Sequence, residues 1–121
     1  MSVRNVLSVD SIESASKFLM ELTHSKLLER KEIYRNLAKS YGIDILRNDM
    51  TKALYELNKS IYSNYRFHNE NETEFAAYFL AVSGASLSLW WLFEKPELSK
   101  EEFTQLFLDW GFAHFRELGL V

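Results

Sequence analysis

The chain has 121 residues, enough for one domain with a real core, and no cysteine to support a disulfide framework or thiolate chemistry. Apolar residues make up 47% and charged residues 26%, a balance that excludes a disordered chain. The formal net charge of −3 argues against direct nucleic-acid contact, because phosphate binding needs clustered Lys and Arg. The densest basic stretch, Lys26 to Lys39, is interleaved with Glu29 and Glu32 and reads as a solvated helix face.

Residues 1–9 carry one Arg and no sustained apolar run, so they read as a flexible N-terminal segment rather than a signal peptide. Residues 10–121 read as a single helical domain. No strand-like alternation persists, whereas helical periodicity recurs five times. The first helix opens near Asp10, which with Glu13 has the spacing of a capping box, and its apolar stripe is Ile12, Ala15, Phe18, Leu19 and Leu22. The second covers roughly Leu27 to Tyr41, with Ile33, Leu37 and Tyr41 on one stripe and Tyr34 and Ala38 beside it. Gly42 follows where a left-handed C-terminal cap wants glycine.

A third helix runs from about Asp44 to Asn64, with Leu46, Met50, Ala53, Leu54, Leu57, Ile61 and Tyr65 on its apolar face. Arg66 to Asn71 is a polar loop that holds His68 in solvent. Asn71 and Glu74 then reopen a fourth helix, which ends near Glu94 ahead of Pro96. Within it, Phe75 to Phe93 is nineteen residues without a charge. Ser83, Ser86 and Ser88 interrupt that run and Glu74 and Glu94 flank it, so it reads as a helix buried in protein rather than a membrane span. Ser99 and Glu102 cap a fifth helix, expected to run to about Leu118.

The fifth helix is apolar over too wide an arc for a single packed side. At about 100° per residue, Phe107, His114, Leu118, Leu106 and Trp110 fall within about 60° of Phe103. Leu108, Phe112 and Phe115 fall at about 120° to 180°, nearly a second face. On the fourth helix Ala77, Ala81 and Ala85 recur every four residues, Gly84 and Ser88 run parallel to them, and Gly111 repeats the feature on the fifth. Small residues let helix backbones approach closely, within one subunit or between two. These nine residues, Ala77, Ala81, Gly84, Ala85, Ser88, Leu108, Gly111, Phe112 and Phe115, are the expected dimer interface. Two helices from each chain would then form a closed four-helix bundle.

Motifs of catalysis are not found. The chain shows no phosphate-cradling glycine loop, no His pair at metal-ligand spacing and no nucleophile elbow, so we expect no enzyme, no metal and no cofactor. His24, His68 and His114 stand far apart in sequence, and His114 on the apolar face is a core or interface histidine. A pocket between helices is the more plausible site. Tyr55 and Tyr62 on the third helix, with Tyr78, Trp90 and Trp91 on the fourth, are its candidate lining, although residues of these types more often serve as core than as ligand contacts.

Two stretches carry a family likeness. Glu29 to Leu37 (Glu-Arg-Lys-Glu-Ile-Tyr-Arg-Asn-Leu) is similar to an acidic-Asn-Arg-x-x-Tyr-x-x-Leu helix, loosened at Lys31 and Glu32. Tyr78 to Leu92, an aromatic–small–Gly helix ending in Trp-Leu, precedes the Ser-x-Glu-Glu start at Ser99 to Glu102. In this order they resemble the C-terminal domain of TetR-family transcriptional regulators, of the type found in Firmicutes regulators such as those of dihydroxyacetone kinase operons. The likeness covers about Ile12 to Leu118, and departs from the group's Gly-containing turn at Phe93 to Glu97.

The resemblance implies a bacterial, cytoplasmic homodimer that senses a small-molecule effector, without direct contact to nucleic acid or membrane by this chain. In such regulators a separate N-terminal helix-turn-helix domain reads DNA. The chain is then either a fragment of a longer regulator or a stand-alone relative. A module that binds a different protein through the same apolar surface is the alternative.

Overall fold

The computed structural model describes residues 12–63 and 69–111, together with positions 113 and 117. All secondary structure among them is helical: α1 (Ile12–Glu29), α2 (Lys31–Tyr41), α3 (Ile43–Tyr62), α4 (Glu70–Glu94) and α5 (Lys100–Gly111). Among the described residues the chain forms the all-α arrangement of five helices expected from periodicity. Asp10, Tyr65, His68, Phe112, His114, Phe115 and Leu118 lie outside the described residues, so the first capping box and the end of the fifth helix do too.

Local chemistry sets most boundaries. At α5, Ser99 Oγ accepts from the Glu102 amide (3.0 Å) while the Ser99 amide donates to Glu102 Oε1 (3.3 Å), a reciprocal capping box. At α4 the cap is Asn69, whose side chain accepts from the Glu72 amide at 2.9 Å. The helix therefore begins two residues before the expected Asn71–Glu74 signal. Asn69 and Glu72 have the same type and spacing, so the sequence offers two equal frames and folding takes the first. Between α1 and α2 the chain breaks at Arg30, although Leu27 to Glu32 are all good helix formers and no Gly or Pro intervenes. Leu27 accordingly belongs to α1, where it is buried.

α3 and α4 form the main antiparallel pair. Tyr62 at the end of α3 clusters with Ala76 and Ala77 near the start of α4, while Leu54 approaches Gly84 further along. α1 lies on α5, and α2 on α3. A first cluster joins Tyr62, Ala76, Ala77, Leu80, Phe107 and Leu108; a second joins Leu27, Trp91, Leu92 and Phe103. In the second, Trp91 and Phe103 stack with ring centroids 4.6 Å apart, and the Trp91 indole N–H donates to the Leu98 carbonyl at 2.6 Å. That bond fastens the turn through Pro96 to the core from inside.

Two expected faces are rotated. On α1 the inward residues are Ser16, His24 and Leu27, while Phe18 is 61% exposed and Leu22 is also outside. On α2 the stripe of Ile33, Leu37 and Tyr41 is exposed, and Tyr34 and Ala38 turn towards the bundle. On α3 the expected face holds in the main: Leu46 is buried and Met50, Leu54 and Ile61 turn inward, whereas Ala53 and Leu57 lie at its exposed edge. On α1 the phase is set by Ser16 and His24, polar residues that pair across the interior.

Gly42 joins α2 to α3 with φ 94° and ψ 148°, and its amide donates to the Ala38 carbonyl at 2.9 Å. Its φ is positive as a cap requires, but its ψ is extended rather than left-handed helical, a region that is essentially glycine's own. A Cβ at this position would meet nothing within 4 Å, so only the backbone is at issue. We expect Gly42→Ala to lower stability by about 1–3 kcal/mol in urea unfolding. An unchanged midpoint would mean that the link relaxes freely.

Candidate functional site

Two features stand out, an outer aromatic face and an inner cavity. Neither uses the expected residue sets as written.

The small residues of α4 point inward. Ala77, Ala81 and Ala85 are fully buried, and Ser88 and Leu108 are buried with them, all within one chain. A Cβ on Gly84 would stand 3.3 Å from Leu54 Cδ1, and one on Gly111 would stand 3.3 Å from the Phe107 ring. The Asn58 amide donates to the Ala77 carbonyl at 3.2 Å, which brings α3 close against this track. The expected interface is corrected in part: Ala77, Ala81, Ala85, Ser88 and Leu108 are buried inside a single subunit and Gly84 faces Leu54, whereas Gly111 lines the outer groove and Phe112 and Phe115 lie outside the described residues. The backbone approach that small residues permit is between α3 and α4.

A second set of large residues on α4 faces out, although Leu80, Leu89, Trp91 and Leu92 of the same helix are buried. Phe79, Val82 and Trp90 lie about 140° to 220° round the helix from Ala77. All three are partly exposed, Phe79 to 51%. Beside them on α5 stand Leu106, also partly exposed, and Trp110, which is 82% exposed. Phe79, Ser83, Leu87, Trp90, Leu106 and Trp110 bound an apolar groove of about 410 Å³. Phe75 extends the face by stacking on Phe79, ring centroids 6.3 Å apart. The signal that could have found this surface was present: α4 has two apolar sides, and only the small one tolerates close packing.

The expected pocket residues do not converge. Tyr62 is buried, and its hydroxyl shares a hydrogen bond with Ser16 Oγ at 3.1 Å. Trp91 is buried in the second core cluster, and Trp90 belongs to the outer groove. Tyr55 and Tyr78 meet edge to face at 5.6 Å on another flank, where the Tyr55 hydroxyl donates to Glu74 Oε1 at 3.0 Å. Of the five, only Tyr62 lines the inner cavity.

That cavity, about 60 Å³, lies between α1, α3, α4 and α5. Ser16, Thr23 and His24 enter it from α1, Asn58 and Tyr62 from α3, Gly84 and Ser88 from α4, and Phe107 from α5. His24 Nδ1 shares a 2.7 Å hydrogen bond with Thr104 Oγ1, and its ring lies against Phe103 (4.7 Å) and Trp91 (5.5 Å). Burial in this apolar setting, reinforced by the Lys100 ammonium, lowers its pKa from 6.5 to about 4. The ring is therefore neutral at ordinary pH. Sequence periodicity passed over His24 because a histidine does not register as an inward-facing residue.

α4 is the one described helix long and apolar enough to cross a membrane, and half of its most apolar stretch is buried inside the chain. Among the described residues no three His, Asp or Glu side chains gather into a metal-ligand set.

The depressed pKa of His24 carries a pH dependence. The unfolded chain takes up a proton at this residue near pH 6.5, whereas the folded chain resists it until about pH 4. The stabilisation is thus complete above pH 6.5 and is lost as pH falls from 6.5 towards 4, a total of about 3 kcal/mol. Urea titrations at stepped pH will show this slope in the native chain and its removal in His24→Gln. Parallel curves for the two proteins would remove His24 as the source.

Comparison with known proteins returns no match among family models, curated proteins or solved structures.

Proposed function

We propose that the chain is the regulatory domain of a TetR-like transcriptional regulator, which pairs with a second copy of itself and responds to a small-molecule effector. The observation that carries the reading is the outer face of α4 and α5, where Phe79, Trp90, Leu106 and Trp110 are aligned across two helices. Burying one large apolar side chain contributes about 1.5–3 kcal/mol, so covering several of them is a substantial driving force. A two-fold axis lets this one patch satisfy itself and closes the assembly. The two likenesses at Glu29–Leu37 and Tyr78–Glu102 supply the regulator part of the proposal. DNA reading would fall to a helix-turn-helix domain, not to these five helices.

A second reading, a module that binds a different protein, draws support from α2. Its Ile33, Leu37 and Tyr41 are also exposed, and pairing through α4 and α5 would leave them uncovered.

Solution mass by light scattering separates the two. We expect about twice 14.2 kDa over a hundredfold concentration range. Phe79→Glu and Leu106→Glu should each give a folded monomer, since both side chains are exposed in the single chain and a buried unpaired carboxylate costs several kcal/mol. A monomeric native protein, or variants that keep the dimer mass, would overturn pairing through this face.

A further inference from the structure

The basic side of α2 borders a surface cleft that the α4–α5 groove does not include. Arg35 and Lys39 stand one turn apart on the same side of α2, and Ala38 lies beside them. Phe93, in the last turn of α4, closes the cleft from the other side. The space is about 330 Å³, it opens to solvent, and no Asp or Glu lines it. Alanine at position 38 keeps it open, since a longer side chain on this wall would occupy the gap.

The charge here runs against that of the whole molecule. The chain carries −3, yet α2 sets Lys31, Arg35 and Lys39 against a single Glu32. One terminal nitrogen of Arg35 donates to Glu32 Oε1 at 2.6 Å, and the rest of its planar fork has donors for a second acceptor. Lys39 adds a point charge about 6 Å along the helix. Phe93 packs against the buried cluster of Leu27, Trp91, Leu92 and Phe103, so its ring is a fixed wall.

These elements select for a particular shape of anion. A guanidinium fork matches a carboxylate through parallel hydrogen bonds, and a fixed aromatic wall favours a flat apolar body. A simple anion would use the two cations and leave the wall bare. The cleft has roughly twice the volume of the ~150 Å³ cavity that accommodates benzene, enough for one ring and its carboxylate.

From this geometry we propose that the cleft between α2 and the end of α4 binds a small aromatic carboxylate. The carboxylate bridges Arg35 and Lys39, and the ring lies against Phe93 and Ala38. The cleft shares no residue with the groove of Phe79, Trp90, Leu106 and Trp110. Binding is therefore independent of pairing and of the regulator reading.

The test is a titration of the native chain with benzoate, followed by amide chemical shifts, with acetate and benzamide as matched probes. Acetate keeps the charge and lacks the ring; benzamide keeps the ring and lacks the charge. We expect benzoate to bind saturably with about millimolar affinity, as its size and an open site dictate. The shifts should centre on Tyr34 to Ser40 and Trp91 to Lys95. Acetate and benzamide should each bind at least tenfold more weakly. Arg35→Gln removes the fork at an exposed position and should weaken benzoate about tenfold. Ala38→Leu fills the cleft with all charges kept and should weaken it by a similar factor.

Equal binding of acetate would reduce the site to a charged surface, and equal binding of benzamide would leave the cations without a role. Either result, shifts centred on the Phe79–Trp110 groove, no saturation, or unchanged affinity in Arg35→Gln would overturn the proposal. Should Ala38→Leu fail to fold, Arg35→Gln and the two probes decide alone. Benzoate binding by a monomeric chain would leave this site standing and remove pairing, whereas a dimer mass without benzoate binding would do the reverse.

Discussion

The 2.7 Å bond between His24 and Thr104 is the interaction on which the arrangement of this bundle depends. α1 turns a face containing Ser16 and His24 towards the interior, and burial of polar groups is tolerable only when each finds a partner. Thr104 answers His24 from α5, and Tyr62 answers Ser16 from α3. Among the described residues no buried side-chain nitrogen or oxygen is left without a hydrogen-bond partner. These bonds fix the rotation of α1 about its own axis, and that rotation puts Phe18 and Leu22 outside. They also place His24 against the Trp91–Phe103 stack, whose own indole bond to Leu98 sets the turn into α5. A local polar pairing thereby determines the relation between three helices.

α4 shows the complementary constraint, which is steric. Where its Ala track and Gly84 meet α3 at short range there is no room for bulky side chains, so Trp91 takes the inner side only further along the helix, while Phe79, Val82 and Trp90 lie outside. They are displaced to the opposite face, where they become available to another molecule. The core and the outer surface of this helix are two consequences of one distribution of side-chain size. The cavity follows from the same geometry: α1 approaches α4 and α5 but bridges to α3 through the Ser16–Tyr62 pair, and space remains beside the Gly84 backbone.

What could be read from the residues was the part governed by local chemistry. The Ser99–Glu102 box, the stop before Pro96 and the glycine at position 42 each act over a few residues, and each was placed correctly. The Asn69 cap was displaced by two positions because Asn71 and Glu74 repeat its spacing. The faces of α1 and α2 are harder, since hydrophobicity gives a period but its phase is decided by partners far away in sequence. Ser16 and Tyr62 are 46 residues apart, and His24 and Thr104 are 80 apart. The surplus of apolar surface on the last two helices was legible as a quantity. Its location was not, because the wheel cannot say which of two apolar sides has a neighbour.

The polar inner face of α1 has an implication for how this sequence can vary. Aliphatic cores accept exchanges of similar volume, since dispersion and burial have little directional demand. A hydrogen bond between two specific side chains has no such tolerance, and losing one member strands the other. Within a single copy of the chain, substitution should therefore be constrained more tightly at Ser16 and His24 than at Phe18 and Leu22. That is the reverse of the ranking that hydrophobicity alone assigns to this helix.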